Sequence, residues 1–403
     1  MTSLPLSVPP VPGSLPRRTL LSALAASALL PLCAASQTNT AQSTGAPKLR
    51  LIGHTTLAHK LQFQGTTVGG LSGLDYDKER GVYYALSDDR SDYSPARFYT
   101  LKLPLTPQGM GSPELLRSTV LLAPNGKPYP NRRTASADSP DVPDPESIRL
   151  RSATNTLYWA SEGDAKRSMP AFVREMRMDG SYSSQLPLPA MLAFSANGTT
   201  GLRDNKALEG LSFSPSGDTL WLATEAALLQ DGPAPGVGVA GGPIRLTQFA
   251  VHSGQPFRQI AYLPDAVPAA PVVAGVRPPA AVTPSGLSDN GISEIWMASE
   301  TGMLVLERAW SYGVGNSVRL YWLDTEDADD VMELPSLAGA AFKPAAKTLL
   351  LDFQSLGLPH LDNLEGMTRG PTLPNGNPTL VFVSDDNFNS SQVTQFIALE
   401  WLL

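Results

Sequence analysis

The sequence predicts an all-β fold, and three observations support this class. Gly and Pro contribute 34 and 37 of the 403 residues, a content typical of chains with many turns. Short apolar segments with alternating side chains recur between these turns, as they do in antiparallel sheets. Hydrophobic residues make up 42% of the chain and charged residues only 17%, which provides enough apolar surface for a core and argues against general disorder.

A hairpin-like unit recurs five times along the chain. Its clearest copy runs from Glu209 to Glu225 and turns at residues 215–218, which read Pro-Ser-Gly-Asp. Because the two strands of a hairpin are symmetric about their turn, we expect Glu209 and Glu225 to lie side by side at its open end. The same rule predicts four further pairs: Ser72 with Asp88, Glu146 with Glu162, Glu294 with Glu307, and Glu365 with Asp385.

Each hairpin is followed by further alternating strands, so the units are four-stranded. Third strands are predicted at residues 98–103, 172–178, 244–251, 318–323 and 393–401, and fourth strands at 118–122, 184–188, 259–263 and 331–334. The last unit has no residues left for a fourth strand, and residues 49–57 are predicted to supply it. Such sheets repeated around an axis, with the N-terminal strand closing the ring, form a β-propeller. Five blades are visible, and the run 341–353 leaves a degenerate sixth blade open.

The first 47 residues are predicted to lie outside the propeller. Residues 1–36 have the features of an export signal, since Arg17 and Arg18 precede an apolar run at 20–32 and small residues follow at 34–36. That run is shorter than the roughly 18 residues that a membrane-spanning helix needs, so no stable membrane span is expected. Residues 37–47 are polar and predict a disordered tether, which leaves 48–403 as one propeller domain.

An export signal predicts a periplasmic or extracellular protein. Cys33 is the only cysteine and lies within the predicted signal, so cleavage near residue 36 would leave no thiol and no disulfide. Lipoprotein anchoring through Cys33 stays open but is disfavoured, because Leu-Pro-Leu rather than small residues precedes it. The net charge of −7 argues against nucleic acid as a partner. We expect a monomer.

The repeated acids predict a cation site. The first strand of each propeller blade lines the channel, so the hairpin ends should meet at one channel mouth. Crowded carboxylates repel each other and must be protonated, pair with Lys or Arg, or bind a cation. Oxygen ligands without thiols favour calcium over zinc. A purely structural role, as strand caps or partners of Arg side chains, stays open. The acids expected at the mouth are Glu146, Glu209, Glu294, Glu365, Asp88, Asp89, Glu162, Glu225, Asp385 and Asp386.

Two basic residues beside these acids are candidates for binding an anionic substrate. Lys206 lies just before Glu209 and Arg308 directly follows Glu307, so each can clamp an anion or neutralise an acid. Ser72 takes the place of the acid in the first unit, and the sequence identifies no His or Asp partner that would make it a nucleophile. The chain has no G-x-S-x-G elbow, H-E-x-x-H zinc helix or P-loop, which disfavours those catalytic devices.

At these repeat residues the sequence resembles the phytase-like domain family, whose members are described as having the esterase-like activity of phytase. The resemblance covers nearly all of residues 48–403 and implies a secreted bacterial β-propeller with hydrolytic activity on esters. The first unit departs from the Glu-Gly pattern of the other units, having Ser72-Gly73 there. The most specific segments are NKALEGL at 205–211, GISEI at 291–295, LVLER at 304–308, DNLEGM at 362–367, VSDDNF at 383–388 and TQF at 394–396.

The leading hypothesis is a secreted, calcium-dependent hydrolase of a small-molecule ester, with phosphoric esters as the first substrate class. Two alternatives stay open: a non-catalytic, calcium-stabilised binding propeller, and a lactonase-like hydrolase of carboxylic esters. Position and resemblance together give each candidate residue a role. The predicted metal ligands are Glu209, Glu365, Asp88, Glu225 and Asp385; the predicted catalytic residues, as general base or further ligands, are Glu146 and Glu294; and the predicted substrate-binding residues are Lys206 and Arg308.

Overall fold

The computed structural model describes residues 48–136, 141–273 and 286–402. The predicted export signal at 1–36 and the predicted tether at 37–47 therefore lie outside the described residues. Within the described ranges, no helix is long and apolar enough to cross a membrane. The three described helices are short 3-10 turns at Ala165–Arg167, Ala190–Leu192 and Phe353–Leu356.

The described strands form five four-stranded antiparallel sheets arranged as blades. Strand β1 (Lys48–Thr56) and the small ribbon of β2 (Gln62–Phe63) and β3 (Thr66–Thr67) precede the first complete hairpin. Blade one contains β4 (Leu71–Asp77), β5 (Val82–Ser87), β6 (Arg97–Lys102) and β9 (Glu114–Val120), with a ribbon of β7 (Leu105–Thr106) and β8 (Gly109–Met110) inserted before β9. Blade two contains β10 (Pro145–Arg151), β11 (Thr156–Ser161), β12 (Phe172–Arg177) and β13 (Tyr182–Gln185).

The remaining three blades repeat this plan. Blade three contains β14 (Leu208–Phe213), β15 (Thr219–Thr224), β16 (Ile244–Ala250) and β17 (Gln255–Tyr262). Blade four contains β18 (Ser288–Met297), β19 (Gly302–Ser311), β20 (Gly315–Asp324) and β21 (Ala346–Asp352). Blade five contains β22 (Asn363–Arg369), β23 (Thr379–Asp385), β24 (Gln395–Leu402) and, as its outer strand, β1.

The ring closes as the sequence predicts. Strand β1 pairs antiparallel with β24, from Lys48 opposite Leu402 to Thr56 opposite Gln395, so the two ends of the domain share one blade. The first strands of neighbouring blades contact each other all the way round, including blade five with blade one. The protein is thus a five-bladed β-propeller, whose closure protects its sheet edges.

One detail of the sequence prediction is wrong, and one open alternative is resolved. The fourth strand of blade four is β21 and not residues 331–334, so the run 341–353 supplies this strand and no sixth blade is present among the described residues. Residues 331–334 instead pack on the outer strand of blade three, where the buried Val331 donates its backbone N–H to the Gln259 carbonyl oxygen. A short apolar run can be buried within a sheet or against one, and its sequence pattern is the same in both cases.

Apolar side chains fill the spaces between neighbouring blades. Trp159 of β11 belongs to one buried cluster with Phe98 of blade one, and Trp221 of β15 belongs to another with Val305 of blade four. Burying a large apolar side chain contributes roughly 1.5–3 kcal/mol, so these interfaces are a major source of stability. Because the apolar core lies between the blades, the centre of the ring is left to polar side chains.

A buried ion pair occupies the centre of the ring. Arg149 of β10 lies 2.7 Å from Glu294 of β18, measured from its Nη2 to the carboxylate Oε2, and both residues are almost fully buried. Burial raises the pKa of Glu294 to about 8, and the neighbouring guanidinium counteracts this rise. The pair makes contact with the first strand of every blade. Arg149 donates to the carbonyl oxygens of Leu74, Ile148, Ile295 and Met367, and Glu294 accepts from the Leu211 backbone N–H.

Arg149→Met should strongly destabilise the propeller. Removing the guanidinium leaves Glu294 buried without its cation and leaves four carbonyl oxygens without this donor, so we expect a loss of about 3–5 kcal/mol in the free energy of unfolding. Urea denaturation measures this loss, with Arg117→Met on the exposed surface as the matched control, expected within about 0.5 kcal/mol of wild type. Equal stability of the two variants would contradict a structural role for the central pair.

Candidate functional site

A β-bulge in the first strand of every blade determines which side chains reach the channel mouth. In each first hairpin the pairing register shifts by one residue, for example between Leu208 and Leu211 in blade three and between Ile292 and Glu294 in blade four. A bulge inserts an unpaired residue and re-aims its side chain. We call the first-strand residue that directly follows the pair before this shift the bulge position. Its occupants in blades one to five are Ser72, Glu146, Glu209, Ser293 and Glu365.

The second strand of each hairpin supplies a second position at the same end. In blade three Leu208 pairs with Thr224, and the next residue, Glu225, donates its backbone N–H to the Ala207 carbonyl oxygen. In blade four Ile292 pairs with Glu307, and the next residue is Arg308. We call this the exit position; its occupants are Asp88, Glu162, Glu225, Arg308 and Asp385.

The predicted side-by-side pairs are therefore wrong in register. Glu225 lies opposite Ala207, not Glu209, and Asp385 lies opposite Asn363, not Glu365. Counting symmetrically from a turn assumes a regular ladder, and the bulge adds one residue to the first strand only. The acids nevertheless lie at the same end of their hairpins, because the shift is small compared with the reach of a Glu side chain.

Eight of the ten bulge and exit residues, all except Ser72 and Ser293, form the floor of a cavity of about 1000 Å³ at one end of the channel. Seven of these floor residues are acids, and Lys206 and Arg308 also line the cavity. The structure thus brings together eight of the nine residues predicted for the site, and Glu294 is the exception. The seven acids are Asp88, Glu146, Glu162, Glu209, Glu225, Glu365 and Asp385.

Two groups of acids on blades two and three are compatible with a metal ion. Asp144, Glu146 and Glu162 each place one carboxylate oxygen within 4.8 Å of the others, and Glu162, Glu209 and Glu225 do the same. All five residues are buried. Glu162 belongs to both groups, so the two groups are adjacent. The donors are carboxylate oxygens only, a set that suits a hard divalent cation.

Asp144 was missed by the sequence prediction. It directly precedes Glu146's strand, accepts the backbone N–H of Glu162 through its carbonyl oxygen, and forms an ion pair with Arg90. The available signal was the string Asp-Pro-Glu at 144–146, which places two carboxylates at the start of one strand. The repeat has one acid at each strand start, so its pattern identifies Glu146 and does not identify Asp144.

Burial and mutual repulsion favour protonation of these carboxyl groups when no cation is present. Burial and, to a smaller extent, the negative charge of Glu225 raise the pKa of Glu162 from 4.5 to about 8. The pKa values of Glu146 and Glu209 are raised well above 4.5, first by burial and then by neighbouring acids. Neither carboxylate makes a hydrogen bond or ion pair with another described residue. A divalent cation would replace the protons that these groups otherwise hold.

A third group of acids lies where blades five and one meet. Burial raises the pKa of Asp88 and Asp385, and Glu365 raises both further. The Nδ2 of Asn363 bridges two of them, at 2.8 Å from Glu365 Oε1 and 3.2 Å from Asp385 Oδ2. The buried Oδ1 of Asp88 has no hydrogen-bond partner among the described residues. A buried oxygen without a donor is a further sign that this floor suits a cation.

Four of the predicted acids occupy neither a bulge position nor an exit position. Each of them is bound to a structural partner instead. Glu294 lies one residue beyond the bulge position and binds Arg149 at the ring centre. Glu307 accepts from Asn290 and Lys347 at 2.9 and 2.5 Å in the interface of blades three and four. Asp89 lies at the cavity edge, where it pairs with Arg97 at 2.7 Å. Asp386 accepts the backbone N–H of Gly70 at 2.8 Å.

Basic and aromatic side chains surround the acidic floor. Arg132 and Arg133 approach Asp92 at 2.8 and 3.4 Å and remain 40% and 64% exposed. Tyr93 stacks on Phe388 with ring centroids 4.3 Å apart. Across the ring, the long strands β19 and β20 of blade four carry Trp310 and Tyr312 to the cavity wall. The cavity therefore combines an anionic floor with a cationic and aromatic rim.

Glu162→Gln should make the metal-free protein more stable at pH 8. The folded protein favours protonated Glu162, so the stability linked to this proton is present below about pH 4.5 and is lost as the pH rises towards about 8. Gln cannot ionise, so the variant should show a flatter decline in unfolding free energy between pH 5 and pH 8. Urea denaturation in EDTA measures both curves, with exposed Glu114→Gln as control; parallel curves for wild type and Glu162→Gln would contradict the pKa shift.

Several solved structures are similar to this chain at low sequence identity. A periplasmic gluconolactonase of Pseudomonas aeruginosa is 12% identical with a TM-score of 0.35, over 83% of this chain and 86% of that one. A gluconolactonase of Xanthomonas campestris is 10% identical with a TM-score of 0.35, over 89% and 96%. An α-L-arabinofuranosidase of Podospora anserina is 8% identical with a TM-score of 0.43, over 88% and 97%. At these values the likenesses carry no functional argument.

The family assignment rests on sequence. No curated protein sequence matches this chain significantly. The sequence profile of the phytase-like family, described as "Esterase-like activity of phytase", matches residues 66–388. The matched range includes all ten bulge and exit positions and thus the whole acidic floor. This chain belongs to the phytase-like family.

Proposed function

We propose that this protein is a calcium-dependent hydrolase of small-molecule esters, with phosphoric esters as the first substrate class. The observation that supports the proposal most is the convergence of seven acids on one cavity floor in a member of the phytase-like family. A carboxylate-only donor set favours calcium over softer metals. When bound, such an ion polarises an ester and stabilises negative charge that develops on its oxygens.

The acids of the floor divide into proposed ligands and a proposed base. One ion would be held by Glu162, Glu209 and Glu225. Glu162 would also be a ligand at a neighbouring position that includes Asp144. Glu146 lies in that second group and makes no hydrogen bond with another described residue, so its carboxylate is placed to accept a proton from a water in the cavity. Glu294 is not retained as a base, because it is bound to Arg149 outside the cavity.

The basic residues of the cavity would have two different roles. Lys206 and Arg308 already pair with Glu225, at 2.7 and 3.4 Å, so on the floor they mainly offset acids until a cation takes over that role. Arg132 and Arg133 are more exposed and lie at the rim, where they would attract an anionic ester towards a floor that would otherwise repel it. A bound divalent cation would strengthen this attraction.

We also propose that the protein is exported and works as a monomer in the periplasm or outside the cell. The basis is the pattern at residues 1–36, in which paired arginines precede an apolar run and small residues. The net charge of −7 supports a small-molecule substrate over nucleic acid.

Hydrolysis of a model phosphate ester by the purified protein should stop in EDTA and return with added Ca²⁺. Glu209→Gln and Glu365→Gln keep side-chain size but remove a charge from the floor, so each should lower calcium affinity and kcat/KM by at least about tenfold. The control is Glu79→Gln, an exposed acid outside the cavity, which should match wild type.

The substrate panel separates the proposal from its alternatives. It contains p-nitrophenyl phosphate, p-nitrophenyl acetate and a simple lactone, each assayed with EDTA and with Ca²⁺. Turnover of the lactone or acetate alone would replace the phosphoric-ester proposal with a carboxylic-ester hydrolase. A calcium-dependent rise in Tm without turnover of any ester would point to a non-catalytic binding propeller.

A further inference from the structure

We propose that Arg308 is a tethered counter-ion that occupies the place of an additional divalent cation and so limits how many metal ions the floor can bind. The proposal relies on the part of the proposed function that concerns metal binding and is independent of hydrolysis. Its basis is the position of Arg308 in the fivefold repeat, combined with the contacts of its guanidinium.

The register of the five blades gives Arg308 the same place as four acids. The exit position holds Asp88, Glu162, Glu225 and Asp385 in the other blades. In blade four the residue that pairs with Ile292 is Glu307, and Arg308 follows it and lies opposite Gly291. Blade four is thus the one blade whose exit residue is cationic. Its bulge residue, Ser293, is neutral, so blade four has no acid at either position.

The guanidinium of Arg308 lies between acids of the two neighbouring blades. Its Nη2 is 3.2 Å from Glu365 Oε1 of blade five and 3.4 Å from Glu225 Oε1 of blade three. The Arg308 side chain is only 12% exposed, so it is held at the floor and does not extend into solvent. Bridging carboxylates from two blades is what a bound cation would do at the same point.

Two acids of the floor, Glu146 and Glu209, have no such tethered partner in the described part of the chain. Among the described residues, Glu146 and Glu209 have no Lys or Arg within ion-pair distance, and Glu162 is bound by a backbone N–H of Ala207 at 2.6 Å. Arg90 pairs with Asp144 and Asp164 and donates to Asn205, and it lies outside ion-pair distance of Glu146 and Glu209. Protons or diffusible cations must therefore compensate Glu146 and Glu209, whereas the guanidinium of blade four compensates Glu365 and Glu225.

Replacing Arg308 with an acid should turn its place into a cation site. Arg308→Glu gives blade four the residue type found at the other exit positions and leaves Glu225 and Glu365 without their bridge. We expect the full chain to bind one more Ca²⁺ equivalent than wild type, and the rise in Tm on adding Ca²⁺ to be larger. Arg308→Lys keeps the charge and should keep the wild-type stoichiometry.

Isothermal titration of metal-free protein with CaCl₂ and metal analysis after gel filtration measure the stoichiometry. Exposed Arg117→Glu makes the same charge change outside the cavity and should bind as wild type does. Arg308→Gln provides a second test should Arg308→Glu fail to fold without calcium, since it also removes the bridge and should admit an extra ion.

The outcomes separate this inference from the proposed function. If wild type binds calcium and both Arg308→Glu and Arg308→Gln bind the same number of ions as wild type, the counter-ion role is overturned. The proposed calcium dependence is not affected by that outcome. No calcium binding by wild type but one ion bound by Arg308→Glu would support the counter-ion role and overturn calcium dependence of the natural protein. No binding by any of the proteins would overturn both.

Discussion

The buried pair of Arg149 and Glu294 is the interaction on which the geometry of the site depends. Each blade contributes only one or two of its bulge and exit side chains to the cavity floor, so the distances between carboxylates are set by the distances between the first strands. Arg149 binds carbonyl oxygens on four of these strands, and Glu294 accepts a backbone N–H from the fifth. A buried pair with many hydrogen bonds favours one arrangement over others, since any displaced blade would leave a buried polar group unsatisfied.

The second constraint is electrostatic, because seven acids on one floor cannot all stay ionised without compensation. The structure compensates differently around the ring. Lys206 and Arg308 offset Glu225 and Glu365, and burial favours protonation of Glu146 and Glu209 where no cation is bound. Tethered charge, bound protons and diffusible cations are therefore alternatives at neighbouring positions. The blades differ from one another because they compensate their acids by different ones of these three means.

Much of the fold follows from the sequence, because its signals are local. Alternation with a period of two, Gly- and Pro-containing turns, and five copies of one hairpin predict five blades closed by residues 49–57, and β1 does pair with β24. The acids were predicted to gather at one channel mouth for the same reason: four of the five copies have a carboxylate near the start of their first strand. The outer strand of blade four was misplaced because Val331 packs on a sheet that is distant in sequence.

The sequence by itself determined the blade plan, the number of acids per hairpin and the end of the channel where they meet. Only the tertiary structure decided which side chains face the cavity, because a bulge shifts the register by one residue and a one-residue shift turns a side chain to the other face. That shift sends Glu294 to Arg149, places Ser293 at the bulge position and gives Arg308 the place of an acid. Asp144 joins Glu162 for a similar reason, since contacts across strands are absent from any single segment.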